Sequence, residues 1–143
     1  MSETHDPRPT PAQINAMMAA NSPFHSLLPL ELQEIDEERA LCHLDLRPEY
    51  FHGGGFLHGG ITYALADAAV AYLVLWRAGF DRKAFTIEGK LNYLASVPAG
   101  TEGHLVAEAR CVSFGRTTAV VDADIYNDSG RRLCHGIFTY AIR

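Results

Sequence analysis

Residues 52–78 read HGGGFLHGGITYALADAAVAYLVLWRA. The first nine letters hold five of the chain's twelve glycines and two of its seven histidines. The run from Ile61 to Trp76 is the most apolar of the protein, and one charge, Asp67, interrupts it. Ala and Leu dominate from Gly59 to Ala78, which predicts a long helix there, with Gly79 as its C-terminal stop. Apolar residues lie nearly all round this helix, so other structure must wrap it.

The flanks say what does the wrapping. Leu30 to Leu46 reads as two strands with a turn at Asp36-Glu37-Glu38, and Arg47 to Leu57 as loop. After Phe80 everything reads as strand. TIEGKLNYL alternates, with Ile87, Leu91 and Tyr93 on one face. HLVAEARCV follows the Pro98-Ala99-Gly100 turn. TTAVVDADIY puts Val120, Asp122, Asp124 and Tyr126 on one side. RLCHGIFTYAI follows the Asn127-Asp128-Ser129-Gly130 turn. Short turns between the last three strands favour an antiparallel meander. A sheet must bury one face and an all-round apolar helix must be covered. The expected class is therefore α+β, a curved antiparallel β-sheet wrapped around one long central α-helix. Residues 1–21 read as a tail (Met1 to Thr10) and a short helix (Pro11 to Ala20) capped by Thr10, and 22–143 as a single domain.

Composition narrows the function classes. The 143 residues carry a net charge of −5, which argues against a nucleic-acid binder. The three cysteines are widely spaced and form no CxxC or Cys/His zinc pattern. No signal-peptide core opens the chain, and Ile61 to Trp76 is shorter than the ~20 residues a membrane helix needs. A cytoplasmic protein in reducing surroundings, with no membrane partner, is expected.

Two features of the opening stretch carry chemistry. The first amides of a helix have no intrahelical partners and sit at the positive end of its dipole. Gly59 and Gly60 are candidate donors to a carbonyl or oxyanion oxygen, unless the glycines merely turn the chain. Asp67 is a mid-helix carboxylate with poor propensity and a cost if buried. It is either on a narrow solvated face or a base or nucleophile. On one straight helix, residues eight apart are separated by about 12 Å, too far to act on one carbonyl. If Gly59 and Asp67 serve one reaction, they must come from two copies of the helix. His52 and His58 are further candidates, although their spacing supports no metal.

The stretch LHGGITYALADAAVAYLV resembles the signature of hotdog-fold acyl-CoA thioesterases of the PaaI-like, phenylacetate-degradation group, with its HGG, its Leu and its Asp. The segment from TIEGKLNYL to FTYAI is similar to that family's C-terminal strands, including its NYL and GR landmarks. The resemblance implies hydrolysis of an acyl-CoA thioester with no metal or redox cofactor, CoA entering only as part of the substrate. It implies that the Gly59 N–H polarises the thioester carbonyl, with His58 and Gly60 beside it. Asp67 of a partner subunit would attack or activate water, and Thr86 would help hold that water. Arg116, with Lys90 and Arg82 behind it, would face the CoA phosphates. It also implies a homodimer, or a tetramer. Where many members carry Asn, six positions before the HGG histidine, this chain has His52, an imidazole that would either donate or take a proton. A hydratase or dehydratase using His52 or His58 with Asp67, and a non-catalytic acyl-CoA binder, are the competing expectations.

Overall fold

In the computed structural model, described for residues 7–143, two short helices come first, α1 (Pro11–Asn21) and α2 (Pro23–Leu27). Strands β1 (Glu31–Ile35) and β2 (Arg39–Asp45) follow, then a 3-10 turn at Pro48–Tyr50 and the long helix α3 (Gly59–Ala78). The chain ends with β3 (Ala84–Tyr93), β4 (His104–Phe114), β5 (Thr118–Asn127) and β6 (Arg132–Ile142). The six strands form one antiparallel sheet in the order β1-β2-β4-β5-β6-β3. It is the expected hotdog arrangement. α3 has the bounds read from sequence, and Gly79 caps it at φ 106°. Its length and composition would suit a membrane span, but here it fills the core: Leu65, Ala66, Ala69, Val70, Leu73 and Val74 have no exposed surface.

Alternation explains the packing. β2 turns Ala40, Cys42 and Leu44 towards α3, β4 turns Leu105, Ala107 and Ala109, and β5 turns Ala119, Val121, Ala123 and Ile125. Small residues in the middle rows let the helix sit close to the sheet, and the polar partners Asp122 and Asp124 face outward. One stripe of α3 stays partly open: Ala64, Asp67, Ala68, Ala71 and Leu75.

The N-terminal stretch expected to be a loose tail is held from Arg8 onward. The Arg8 guanidinium lies 3.4 Å from the Trp76 ring centroid and pairs with Glu37 at 2.6 Å. Residues 1–6 lie outside the described residues. Thr10 and Gln13 form a capping box at the start of α1, which buries Ile14 in the core.

The two sheet edges are treated differently. On β1, the Asn15 side chain of α1 bonds both the N–H and the carbonyl of Leu32, each at 2.8 Å, so it covers the edge. On β3, Phe85, Ile87 and Tyr93 are each more than half exposed. β3 also corrects one expectation. A bulge between Thr86 and Glu88 breaks its alternation, so Ile87 turns outward at 61% exposure rather than sharing a face with Leu91 and Tyr93. Thr86 and Tyr93, seven residues apart, then both face α3, which strict alternation forbids.

Candidate functional site

Two groups of residues gather along α3. The first is at its N-terminus. A pocket of about 410 Å³ is lined there by His52, Phe56, Gly59, Thr62, Tyr93 and Cys134, among others. His58 is the N-cap, in extended conformation, and its Nδ1 accepts from the Gly60 N–H at 2.9 Å. The His58 carbonyl accepts from the Ile61 N–H at 3.0 Å. The Gly59 carbonyl accepts from Thr62 Oγ1 at 2.9 Å and from the Tyr93 hydroxyl at 2.8 Å. Two peptide planes are thus locked at three of their four polar groups. The fourth, the Gly59 N–H, has no acceptor among the described residues. Of the two glycines read as candidate donors, Gly60 is already engaged and Gly59 is open. Glycine also leaves room at 59, since a Cβ there would lie 3.0–3.1 Å from the exposed Tyr93 ring, which would have to shift by a few tenths of an ångström. Burial holds the Tyr93 phenol above its ordinary pKa, so it stays a donor at neutral pH.

His52 is fixed by its own loop. Its Nδ1 accepts from the Gly54 N–H at 2.9 Å, and its backbone closes the turn through Phe56 and Gly55. A neutral imidazole accepting at Nδ1 carries its proton on Nε2. His52 therefore brings a donor to the pocket, and His58 has the same tautomer for the same reason.

The second group surrounds Asp67. Its Oδ1 accepts from Thr86 Oγ1 at 2.8 Å and from the Tyr140 hydroxyl at 2.5 Å. The same hydroxyl lies 3.0 Å from the Asp67 carbonyl. Thr86 and Tyr140 are direct partners in the β3–β6 ladder. Tyr140 is buried, and burial first, then its bond to Asp67, pushes its phenol far above the ordinary range. The sequence reading did not single out Tyr140. Its signal was the alternation of RLCHGIFTYAI, which puts a hydroxyl on the helix-facing side beside Phe138. A buried tyrosine needs a partner, but which one depends on β3 lying against β6.

Asp67 lines no part of the Gly59 pocket. The other expected residues separate. Arg116 is on the β4–β5 hairpin, where its carbonyl accepts from Arg82 Nη2 at 3.4 Å. Lys83 and Arg143 exchange backbone bonds of 2.7 and 2.8 Å nearby. These four cations lie at the sheet end that holds Thr86 and Tyr140. Lys90 is elsewhere, in a shallow depression with Asn92 and His135. Among the described residues no three His, Cys, Asp or Glu side chains come together in a way that could hold a metal ion.

Residues 54–134 match the thioesterase superfamily model. The chain is 26% identical over 114 residues to the 1,4-dihydroxy-2-naphthoyl-CoA hydrolase of Listeria monocytogenes, covering 80% of this chain and 90% of that protein. A mutant of thioesterase PA1618 from Pseudomonas aeruginosa superposes with a TM-score of 0.83 at 26% identity over 94% of both chains. A hypothetical thioesterase with coenzyme A from Streptococcus pneumoniae superposes at TM-score 0.72 and 25% identity, over 80% of this chain and 85% of that one.

Proposed function

The chain belongs to the thioesterase superfamily, and on that premise we propose that it hydrolyses an acyl-CoA to free acid and CoA at composite sites. Each site joins the Gly59 pocket of one copy to the Asp67 group of another. One observation carries this reading. A single open amide in a locked helix N-terminus and a carboxylate held by two hydroxyls stand eight residues apart on one helix, about 12 Å by helix geometry. Each is half of an acyl-transfer site.

The roles follow from the groups. The thioester oxygen takes hydrogen bonds from the Gly59 N–H and from His52 Nε2–H. Such preorganised donors stabilise the charge that develops on that oxygen. Asp67 removes a proton from water as the oxygen of that water bonds to the carbonyl carbon. The tetrahedral adduct collapses, the C–S bond breaks, and the sulfur leaves with its electron pair. That thiolate recovers a proton as CoA, and the acid is released. Direct attack by Asp67 would instead pass through an anhydride. Label in Asp67 after a single turnover in ¹⁸O-water would identify direct attack with hydrolysis at the aspartyl carbonyl, because general-base catalysis puts label only into the released acid.

Two features support a homodimer. α3 leaves open the stripe that contains Asp67, lined otherwise by Ala64, Ala68 and Ala71, small enough for a second helix to lie close. β3 leaves an apolar edge, whereas the opposite edge is covered. Arg116, Arg82, Lys83 and Arg143 supply cations for the CoA phosphates. The dehydratase reading is disfavoured by His52, the imidazole that lines the pocket, which offers a donor where that chemistry needs a histidine base.

The test is thiol release from a panel of aryl- and medium-chain acyl-CoA substrates. Cleavage of at least one is expected. Tight binding of acyl-CoA with no cleavage anywhere in the panel would replace hydrolysis by a binding role.

A further inference from the structure

We propose that the cross-strand pair Thr86–Tyr140 is a positioning device for Asp67, holding Oδ1 so that Oδ2 is the oxygen that meets the reacting water or carbonyl. The proposal rests on the reading of Asp67 as the reacting carboxylate. It assigns Tyr140 a part in catalysis exerted through Asp67.

An aspartate on a helix has two rotatable side-chain bonds, and its two oxygens are equivalent until something distinguishes them. Here both side-chain donors reach the same oxygen: Tyr140 at 2.5 Å and Thr86 at 2.8 Å bond Oδ1. No hydrogen bond from a described residue reaches Oδ2. The Tyr140 hydroxyl is also within 3.0 Å of the Asp67 carbonyl, so it fixes the side chain relative to its own helix turn.

The sheet is built to deliver this pair. Thr86 and Tyr140 face each other in register, and the bulge between Thr86 and Glu88 follows at once. Bulges re-aim side chains near functional sites. Were Ile87 in regular alternation instead of bulged, Thr86 would point away from α3 while Gly89, Leu91 and Tyr93 pointed toward it. The bulge lets one strand serve both groups, Thr86 at Asp67 and Tyr93 at Gly59. Tyr140 is 2% exposed, so its donor is not shared with bulk water. Preorganised donors matter most in such surroundings.

A buried tyrosine could equally bond Asp67 only to satisfy its own hydroxyl, and the experiment separates the two. Tyr140→Phe keeps the ring in the core, and Thr86→Val alters an exposed strand position, so its folding is secure. kcat and KM are measured with a cleaved acyl-CoA, alone and in an Asp67→Asn background, with thermal melts as control. Tyr140→Phe is expected to lower kcat about ten- to a hundredfold, the worth of a hydrogen bond to a charged group. KM should stay within about twofold, as expected for an interaction that matters in the transition state. Thr86→Val should lower kcat in the same pattern, and Thr86→Ser should restore it. Neither change should lower the residual rate of Asp67→Asn further.

Wild-type kcat in Tyr140→Phe or Thr86→Val, with Asp67→Asn inactive, would overturn the positioning device and leave the reading of Asp67 standing. So would a loss that persists in the Asp67→Asn background. Full activity in Asp67→Asn would instead overturn the Asp67 reading, and this proposal with it.

Discussion

At its N-terminus α3 offers a ligand one backbone N–H, and eight residues on it offers a carboxylate held by two strand hydroxyls. The first group is made of backbone, loop and cap. Its rigidity comes from local bonds within a few residues of Gly59, joined by one long-range bond from Tyr93. The second is made of side chains from three elements far apart in sequence. The first sits in an open pocket, while the second stands on a partly open stripe of α3 and is anchored from beneath by the buried Tyr140. A donor that must receive a ligand oxygen has to stay open. A carboxylate that must present one oxygen has to be gripped by the other.

The sharpest way to break this comparison is Asp67→Asn. The amide keeps an Oδ1 that accepts from Thr86 and Tyr140, so the variant should fold. It loses the carboxylate charge, and on the proposed role of Asp67 kcat should fall about 10²–10⁴-fold. A wild-type rate would remove Asp67 from the chemistry.

Next is Gly59→Pro. Proline suits the first helical position, and the extended His58 (φ −66°, ψ 129°) can precede it. The substitution deletes the one open N–H, and kcat should fall about 10²–10³-fold. Gly59→Ala meets the same Tyr93 ring but keeps the N–H, so the gap between the two variants isolates the hydrogen bond. Refolding Gly59→Pro together with Asp67→Asn tests the two-chain site. Random dimers of two inactive chains regain about a quarter of wild-type activity, because half are mixed and each mixed dimer has one intact site of two. No regain would place both groups in one chain's site.

A smaller effect is expected at His52. Removing one neutral donor in His52→Ala should cost about two- to tenfold in kcat/KM. Gly54→Ala should mimic it from outside, because the new Cβ would fall 2.7 Å from His52 Cε1 and displace the ring. If Gly54→Ala is silent while His52→Ala is not, the Gly54 lock on the tautomer is unimportant.

The two groups were not equally legible. The N-terminal one lies in a run of nine residues, His52 to Gly60, and its logic is local: glycines, a cap and a helix start. Gly59, His52 and His58 could be named from that run, although only the hydrogen bonds reveal that Gly60 is engaged. Asp67 stood out because a charge in a buried helix is costly. Thr86 came from family resemblance. Tyr140 did not emerge at all, because its role depends on β3 crossing the sheet to pair with β6 rather than with β4, its neighbour in sequence. The bulge at Ile87 hid the register as well, since period-two reading put Ile87 inward and left Thr86 outward. Local signals fixed the helix bounds and the strand count. Strand order and bulge placement are long-range properties, and the second group depends on both.

The smallest expected effect compares one chemical change at both ends of α3. Tyr93→Phe and Tyr140→Phe each delete a phenol that donates to an oxygen near the site. Tyr93 bonds a carbonyl that Thr62 also holds, and its side chain is 55% exposed. Its loss should leave kcat within about threefold and cost about 1 kcal/mol of stability or less. Alkaline melts separate the two phenols by burial. Both are held above their ordinary pKa in the fold, Tyr140 further than Tyr93. A raised phenol binds its proton more tightly folded than unfolded, so its contribution is present below the unfolded value of about 10 and is lost as pH climbs from there. Tyr140→Phe should therefore flatten the alkaline limb of the Tm–pH curve, and Tyr93→Phe should flatten it less. Equal flattening would mean that the two hydroxyls sit in equivalent surroundings, and the contrast between an open end and a gripped end of α3 would fail.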